Sequence, residues 1–180
     1  MENKVLFPGV KDGDTFEVGG IEFIKFPDAN GVTPVVAKEL QFYSDFGENN
    51  NLAESKILRR LQEEWLPKVA EVIGGENLCQ IHTDLTTLDG LKPYPELESM
   101  VSLPTLEFYR KHVEIFDRYK QDNWWWLATP ESAQPHDTPR WVLCVSPSGY
   151  INGDYYFYDL VSGVRPFLAL KSSIFGSFEA

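Results

Sequence analysis

Residues 124–130 read Trp-Trp-Trp-Leu-Ala-Thr-Pro, and they indicate a β-strand over residues 124–127. Alternate side chains of a strand point to opposite faces, so Trp124 and Trp126 share one face and Trp125 and Leu127 share the other. Two interpretations follow. Either one face fills the core and the other lies under a loop, as is common for aromatic residues, or one face is an aromatic platform for a glycan or a peptide.

The C-terminal third around this stretch is rich in aromatic residues, which make up 14% of the whole chain. Aromatic side chains suit the pleated surface of a sheet, so this third is predicted to be mostly β. We expect Gly153 and Asp154 to form a turn between two strands. The other predicted strands of this third are residues 141–145, 150–152, 155–158 and 167–170.

The first half combines strands with one or two helices. Apolar and polar residues alternate over residues 14–18 and 21–26, and the Gly-Gly pair between them suits the turn of a hairpin. Ser55 is a predicted helix N-cap, and Pro67 either kinks that helix or begins a second one. These patterns predict an α+β fold in a single compact domain covering residues 1–180.

Charge and composition exclude some partners. The net charge is −11, and residues 1–100 carry 18 acidic and 9 basic side chains. Binding to phosphates requires a positive field, so nucleic acid is not an expected partner. The acidic surface either maintains solubility or docks on a basic protein. The chain contains no run of about 18 apolar residues, so we expect a cytoplasmic protein with no membrane partner.

The order of these elements resembles an uncharacterised domain family of phage, prophage and gut bacterial proteins. The signatures of that family read roughly W-W-L-R-S-P and a terminal G-V-R-P-A, which correspond here to the tryptophan run and to residues 163–166. The resemblance covers about residues 13–170 and implies a C-type-lectin-like fold, akin to the formylglycine-generating and phage variable-receptor branches. Ala128 replaces the family arginine, whereas Arg165 matches its position.

Candidate ligand-binding residues come from the aromatic strands, from the polar, proline-containing loop over residues 131–140, and from the terminal motif. Arg165 either binds a carboxylate through its guanidinium or plays a structural part by satisfying loop carbonyls or an acid such as Asp154 or Asp159. The candidate residues are Trp124, Trp126, Gln134, His136, Trp141, Tyr155 and Arg165.

The sequence gives little support for catalysis, a metal or a cofactor. It has no phosphate-binding glycine loop, nucleophile elbow or zinc spacing. His82 with Asp84 lacks an evident third ligand. The loop over residues 131–137 resembles a lectin calcium loop only loosely, because His136 stands where Asp or Asn is expected. Residues 149–154 offer only Asn152 and Asp154, whereas calcium binds six to eight oxygens. Cys79 and Cys144 match no metal or redox spacing, so we expect two reduced thiols, although one disulfide is possible.

We therefore expect a non-catalytic binding module of phage or prophage origin, cytoplasmic or virion-associated, which recognises a protein or a glycan through its aromatic C-terminal surface. One alternative is a small acidic phage-encoded inhibitor that docks on a basic host protein. Another is an oxidoreductase of the formylglycine-generating type, which requires Cys79 and Cys144 to lie close together.

Overall fold

A computed structural model describes residues 6–156 and 162–176 of the 180-residue chain. Strands outnumber helices within these residues, and the predicted α+β class is confirmed. In chain order the strands are β1 (Thr15–Val18), β2 (Ile21–Lys25), β3 (Val32–Ala37), β4 (Phe42–Tyr43), β5 (Leu78–Cys79), β6 (Ile81–Thr83), β7 (Leu97–Ser99), β8 (Trp124–Pro130), β9 (Trp141–Val145), β10 (Ile151–Tyr155), β11 (Ser162–Val164) and β12 (Phe167–Lys171).

The strands form two five-stranded sheets and one two-stranded ribbon. The order in the first sheet is β1-β2-β3-β12-β5, and the order in the second is β10-β9-β8-β11-β4. Strands β6 and β7 make the ribbon. Neighbouring strands are antiparallel except β8 and β11, which run parallel. Strand β8 thus lies in the middle of the second sheet, whereas β10 lies at its edge, and this difference decides which tryptophans reach the surface.

The predicted N-terminal hairpin is present. Strands β1 and β2 pair from Thr15 with Ile24 to Val18 with Ile21, so only Gly19 and Gly20 form the turn. Both glycines have positive φ, +57° and +82°. A two-residue hairpin turn of this kind needs positive φ at both positions, which glycine adopts without strain. The Gly-Gly pair therefore explains the register of this hairpin.

The predicted long helix begins where its capping residue indicates. The Oγ of Ser55 accepts a hydrogen bond from the backbone N–H of Leu58 at 2.9 Å. Helix α1 (Lys56–Arg60) runs through one π-helical turn (Leu61–Trp65) into α2 (Leu66–Ile73), and Gly74 ends it. Pro67 lies in the first turn of α2. Because proline lacks an N–H, the adjoining π-turn takes up the break in hydrogen bonding, so Pro67 interrupts the helix without ending it.

A second helical segment follows the ribbon. Thr105 caps helix α3 (Leu106–Lys111) by accepting from the N–H of Phe108 at 3.1 Å. Helix α4 (Val113–Phe116) continues after His112. Single 3₁₀ turns occur at Leu52–Glu54, Gly75–Asn77, Asp117–Tyr119 and Ser172–Phe175.

Strand β8, in the middle of the second sheet, is covered on both faces. On β8, Trp126 and Ala128 join an apolar cluster with the inner side of α1 and α2. Trp125 and Leu127, which point the other way, join a second cluster with α3 and α4. This double coverage explains why almost the whole of β8 is apolar rather than alternating.

One predicted turn is wrong. Gly153 and Asp154 do not separate two strands, because β10 runs unbroken and pairs Gly153 with Leu143 of β9. The side chain of Asn152 accepts from the N–H of Gly153 at 2.9 Å, and that of Asp154 accepts from the N–H of Tyr155 at 2.8 Å. Turn-forming residues therefore satisfy N–H groups of an edge strand here. The predicted strand at residues 155–158 extends outside the described residues.

Candidate functional site

The tryptophan run lies mostly in the core. Trp125 is 2% exposed and Trp126 is fully buried. The indole N–H of Trp126 donates to the backbone oxygen of Ser44 at 2.8 Å, and its ring meets Phe46 edge-on at 5.4 Å. No ligand can reach a ring enclosed in this way, so the prediction that Trp126 belongs to a binding surface is wrong. The interpretation that this face fills the core describes Trp126 correctly.

Arg165 is also buried, with 1% of its surface exposed. Its guanidinium donates to the backbone oxygens of Ala37 at 3.0 Å and Lys38 at 3.1 Å, and lies 4.7 Å from the Trp125 ring. Burial lowers the pKa of Arg165 to about 10. The prediction of ligand contact is therefore wrong for Arg165, and the alternative of a structural arginine that satisfies loop carbonyls is confirmed.

Trp124 is half-buried and meets Tyr150 edge-on, with ring centroids 5.4 Å apart. It shares its face of the sheet with Trp126. Trp141 lies on the opposite face, because Val145 pairs with Trp125 and strand residues four apart share a face. The structure thus separates Trp124 from Trp141 and Tyr155.

Trp141 forms part of the wall of an open cleft of about 450 Å³. The cleft lies between the turn at residues 87–90, the loop at residues 131–137, and the β9–β10 pair. We call it the Trp141 cleft. Its lining consists of Leu88, Asp89, Glu131, Ser132, Asp137, Trp141, Asn152 and Gly153. This volume lies in the range of clefts that bind small ligands.

The orientation of Trp141 is fixed by an aromatic stack. Its ring meets Tyr155 edge-on at 5.3 Å and 80°, and Tyr155 stacks on Tyr156 at 4.9 Å. Trp141 and Tyr155 are partners across the β9–β10 pair. Tyr155 therefore supports the wall of the Trp141 cleft.

Asp89 ties the two loops of the cleft together. Its carboxylate accepts from the hydroxyl of Ser132 at 2.6 Å and from the hydroxyl of Thr87, and it lies 2.7 Å from Nδ1 of His136. These contacts, with Ser132 first, hold the pKa of Asp89 well below its usual range. His136 therefore anchors the loop instead of facing the cleft, and Gln134 lies exposed near the loop tip, outside the cleft lining.

Asn50 is the residue that the sequence analysis missed. Its side chain is fully buried, and its amide N–H groups donate to the backbone oxygens of Ser132 at 2.7 Å and Trp141 at 3.3 Å. Its side-chain oxygen accepts from the hydroxyl of Tyr94. One amide thus joins both walls of the cleft. An asparagine within a polar Asn-Asn-Asn run gives no sign of this in the sequence.

Glu131 brings a carboxylate into the cleft. The carboxylate lies directly over Gly153, where a Cβ atom would collide with Oε2. Burial raises the pKa of Glu131, and the neighbouring Asp137 and Asp89 raise it further. Among residues 6–156 and 162–176, no side chain forms a hydrogen bond or ion pair with this carboxylate, which belongs to the lining of the cleft.

Other candidates do not assemble into a site. The Nδ1 of His82 lies 3.3 Å from Glu96 and 3.5 Å from Glu98, whereas Asp84 accepts from Thr86. Within the described part of the chain, no three His, Cys, Asp or Glu side chains are arranged to hold a metal ion. Cys79 and Cys144 are free thiols, and burial raises the pKa of Cys144. A buried, protonated thiol is a poor nucleophile.

No protein-family model matches this chain, and neither a curated protein nor a solved structure matches it. No helix within the described ranges has the length and apolar character needed to cross a membrane. The Trp141 cleft itself therefore supplies the observations from which a function is inferred. Its aromatic wall, the carboxylate of Glu131 and its anchored loops suit the binding of a ligand.

Proposed function

We propose that this protein is a non-catalytic binding module, and that the Trp141 cleft recognises a protein or a glycan. The observation that carries this proposal is the half-buried ring of Trp141, held beside the carboxylate of Glu131 in a concave site. An aromatic wall with a few oriented polar groups is the usual composition of a ligand site. Asn50 and Asp89 hold the walls of the cleft in place through hydrogen bonds. A preformed site of this kind lowers the entropy cost of binding.

The C-type-lectin-like architecture and the phage or prophage origin belong to this proposal. They are supported by the order of the hairpin, the capped helix and the tryptophan run, and by the terminal Gly-Val-Arg-Pro motif at residues 163–166. The buried environment of Arg165 gives that motif a structural part, because the residue follows β11 of one sheet and its guanidinium donates to the backbone at the end of β3 in the other. Such a motif stabilises the fold and does not determine which ligand is bound.

A matched pair of variants tests the proposal. Trp141→Ala removes the cleft wall, while Tyr150→Ala removes an aromatic ring that is 57% exposed on the other face of the same sheet. Both proteins are compared with the wild type as baits in a host lysate and on a glycan array. We expect Trp141→Ala to lose at least about tenfold in affinity, which corresponds to about 1.4 kcal/mol, and Tyr150→Ala to bind normally. Equal binding by all three proteins would refute the proposal.

The acidic-inhibitor alternative predicts a different salt response. Attraction between exposed charges is screened beyond about 8 Å at physiological ionic strength. A partner that dissociates at high salt and binds Trp141→Ala as well as wild type would favour that alternative. Several acidic side chains of the first half already pair locally, such as Glu22 with Lys38 at 2.8 Å and Asp45 with Lys56 at 2.8 Å. This local pairing leaves less negative charge to attract a basic partner, so it favours binding in the Trp141 cleft over the acidic-inhibitor alternative.

A further inference from the structure

The Trp141 cleft carries negative charge. Asn152 pairs with Cys144 on β9, three residues from Trp141, so its side chain points away from the face that carries the indole ring. The charged side chains of the cleft are all acids, namely Asp89, Glu131 and Asp137. Within the described ranges, no lysine or arginine belongs to this lining. Because an ionised carboxylate only accepts hydrogen bonds, the cleft favours a ligand that donates them and is positively charged.

Glu131 is the acid that lies beside the ring. Its backbone N–H donates to the backbone oxygen of Trp141 at 2.9 Å, where β8 ends and β9 begins. Its carboxylate lies over Gly153, in space that a side chain at that position would fill. The pKa of Glu131 is raised first by burial and then by the neighbouring acids Asp137 and Asp89. Negative charge is therefore unfavourable at this position, and a cation beside it would stabilise the ionised carboxylate.

The aromatic wall is an independent feature that also suits a cation. The face of an indole ring attracts cations that lie within about 6 Å of its centroid. Tyr155 holds the Trp141 ring in place edge-on at 5.3 Å. A neutral apolar ligand could contact this ring as well, but it would displace water from the carboxylate of Glu131 without replacing the lost hydrogen bonds, at a cost in free energy. An ammonium or guanidinium group satisfies both the ring and the carboxylate.

The composition of the cleft favours arginine or lysine over other cations. Sites for quaternary ammonium groups surround the ligand with several aromatic rings, whereas Trp141 is the single aromatic residue in the described lining. Carboxylates require N–H donors, which arginine and lysine supply. The flat guanidinium of arginine can stack on an aromatic ring and donate two hydrogen bonds to one carboxylate.

The size of the cleft and the charge of the chain favour a protein as the source of this cation. The cleft is open and has a volume of about 450 Å³, so there is room for the chain that carries the charged group as well as for the group itself. The net charge of −11 attracts a basic protein and orients it during encounter. A basic side chain on a protein surface therefore fits both the cleft and its surroundings.

We propose that the Trp141 cleft binds an arginine or lysine side chain of a partner protein, held between the ring of Trp141 and the carboxylate of Glu131. This inference rests on the proposed function and names the chemistry of the partner at the same site. It differs from the acidic-inhibitor alternative, because the contact depends on one ring and one carboxylate and not on the net charge of the first half.

Three peptides of one neutral sequence, with arginine, lysine or citrulline at the centre, test the inference. Citrulline has nearly the shape of arginine but carries no charge. The peptides are titrated into the isotope-labelled full chain, and NMR follows the indole N–H signal of Trp141, which is assigned by its loss in Trp141→Ala. We expect the arginine and lysine peptides to shift this signal and the citrulline peptide to bind at least about tenfold more weakly, because it loses the charge-assisted hydrogen bond.

Matched variants locate the contact, with affinity for the arginine peptide measured by calorimetry. Glu131→Gln removes one negative charge beside the ring, while Asp122→Asn removes an equal charge at an exposed position before the other end of β8. We expect at least about tenfold weaker binding in the first variant and a change within about twofold in the second. Trp141→Ala should also bind at least about tenfold more weakly, and Tyr150→Ala should bind normally.

The other outcomes separate this inference from the proposed function. Equal affinity for the arginine and citrulline peptides would overturn the inference and leave the binding module standing. A shift of the Trp141 signal by neutral or amino oligosaccharides, with none from the arginine and lysine peptides, would do the same. An equal loss of affinity in Glu131→Gln and Asp122→Asn would also overturn the inference, since net charge alone would then explain binding. Both proposals fail if Trp141→Ala, shown by circular dichroism to be folded, binds every peptide, glycan and host component as wild type does.

Discussion

Trp126 and Trp141 lie on neighbouring strands of one sheet, yet their surroundings differ completely. Trp126 is on β8, in the middle of the sheet, and is fully buried with its N–H bonded to Ser44. Trp141 opens β9, next to the edge strand β10, and lines a cleft. In this chain the longest aromatic run forms the strand that is covered on both faces, whereas an aromatic residue beside the edge strand lines a cleft.

Replacement of the buried Trp126 should have the largest effect on stability. Trp126→Ala should destabilise the fold by about 3–5 kcal/mol, because a large ring is removed from a closed core. Trp141→Ala should cost about 1 kcal/mol, since part of its ring already faces solvent. Urea unfolding followed by circular dichroism measures both values. Similar losses for the two variants would mean that Trp141 is a core residue too.

Asn50→Ala should have the next largest effect. The substitution leaves the backbone oxygens of Ser132 and Trp141 without their amide donor, at a cost of about 1–3 kcal/mol. Ligand affinity should fall as well, because both walls of the cleft lose their common support. Asn49→Ala is the matched control, since the Asn49 side chain bonds to Glu54 and to the N–H of Asn51, both in its own loop. A stable Asn50→Ala protein with normal binding would show that the walls hold without this amide.

The local elements were predictable from sequence because their causes are local. The Gly19-Gly20 turn, the Ser55 cap and the opposite facing of successive side chains along β8 depend on a few residues each, and each is found where the sequence predicts it. The position of β8 between β9 and β11 depends on long-range pairing, and local periodicity does not encode it. This is why Trp126 and Arg165 were assigned to the surface although both are buried.

For the same reason, the sequence names some residues of the cleft but does not predict the cleft itself. Trp141, Tyr155 and the loop over residues 131–140 follow from composition and position, and they do lie together. Asp89 and Asn50 come from loops that are 40 or more residues away along the chain. Their contacts with Ser132 exist only once the sheets have formed, so no sequence pattern marks them.

Acid should destabilise the contact between Asp89 and the loop at residues 131–137, which borders the Trp141 cleft. The folded state lowers the pKa of Asp89, so ionised Asp89 stabilises the fold above its unfolded pKa of about 3.9, and this contribution is lost as the pH falls below about 4. The difference in unfolding free energy between wild type and Asp89→Asn should therefore be largest near neutral pH and shrink in acid. Asp122→Asn, at an exposed aspartate, is the control. A difference that stays constant from neutral pH to pH 3 would contradict this role.

Gly153→Ala should have the smallest effect on stability, and it tests directly whether the Glu131 carboxylate contacts the ligand. Gly153 does not have positive φ, so alanine fits its backbone, but the added Cβ would collide with the Oε2 of Glu131. Glu131 can turn away at little cost, so Gly153→Ala should change stability by no more than about 0.5 kcal/mol. Ligand affinity should nevertheless fall, because the displaced carboxylate no longer faces the ligand, and combining the change with Glu131→Gln should add little further loss. Gly75→Ala, where an added Cβ meets nothing within 4 Å, is the control. Full affinity in Gly153→Ala would show that the ligand is held by Trp141 without Glu131.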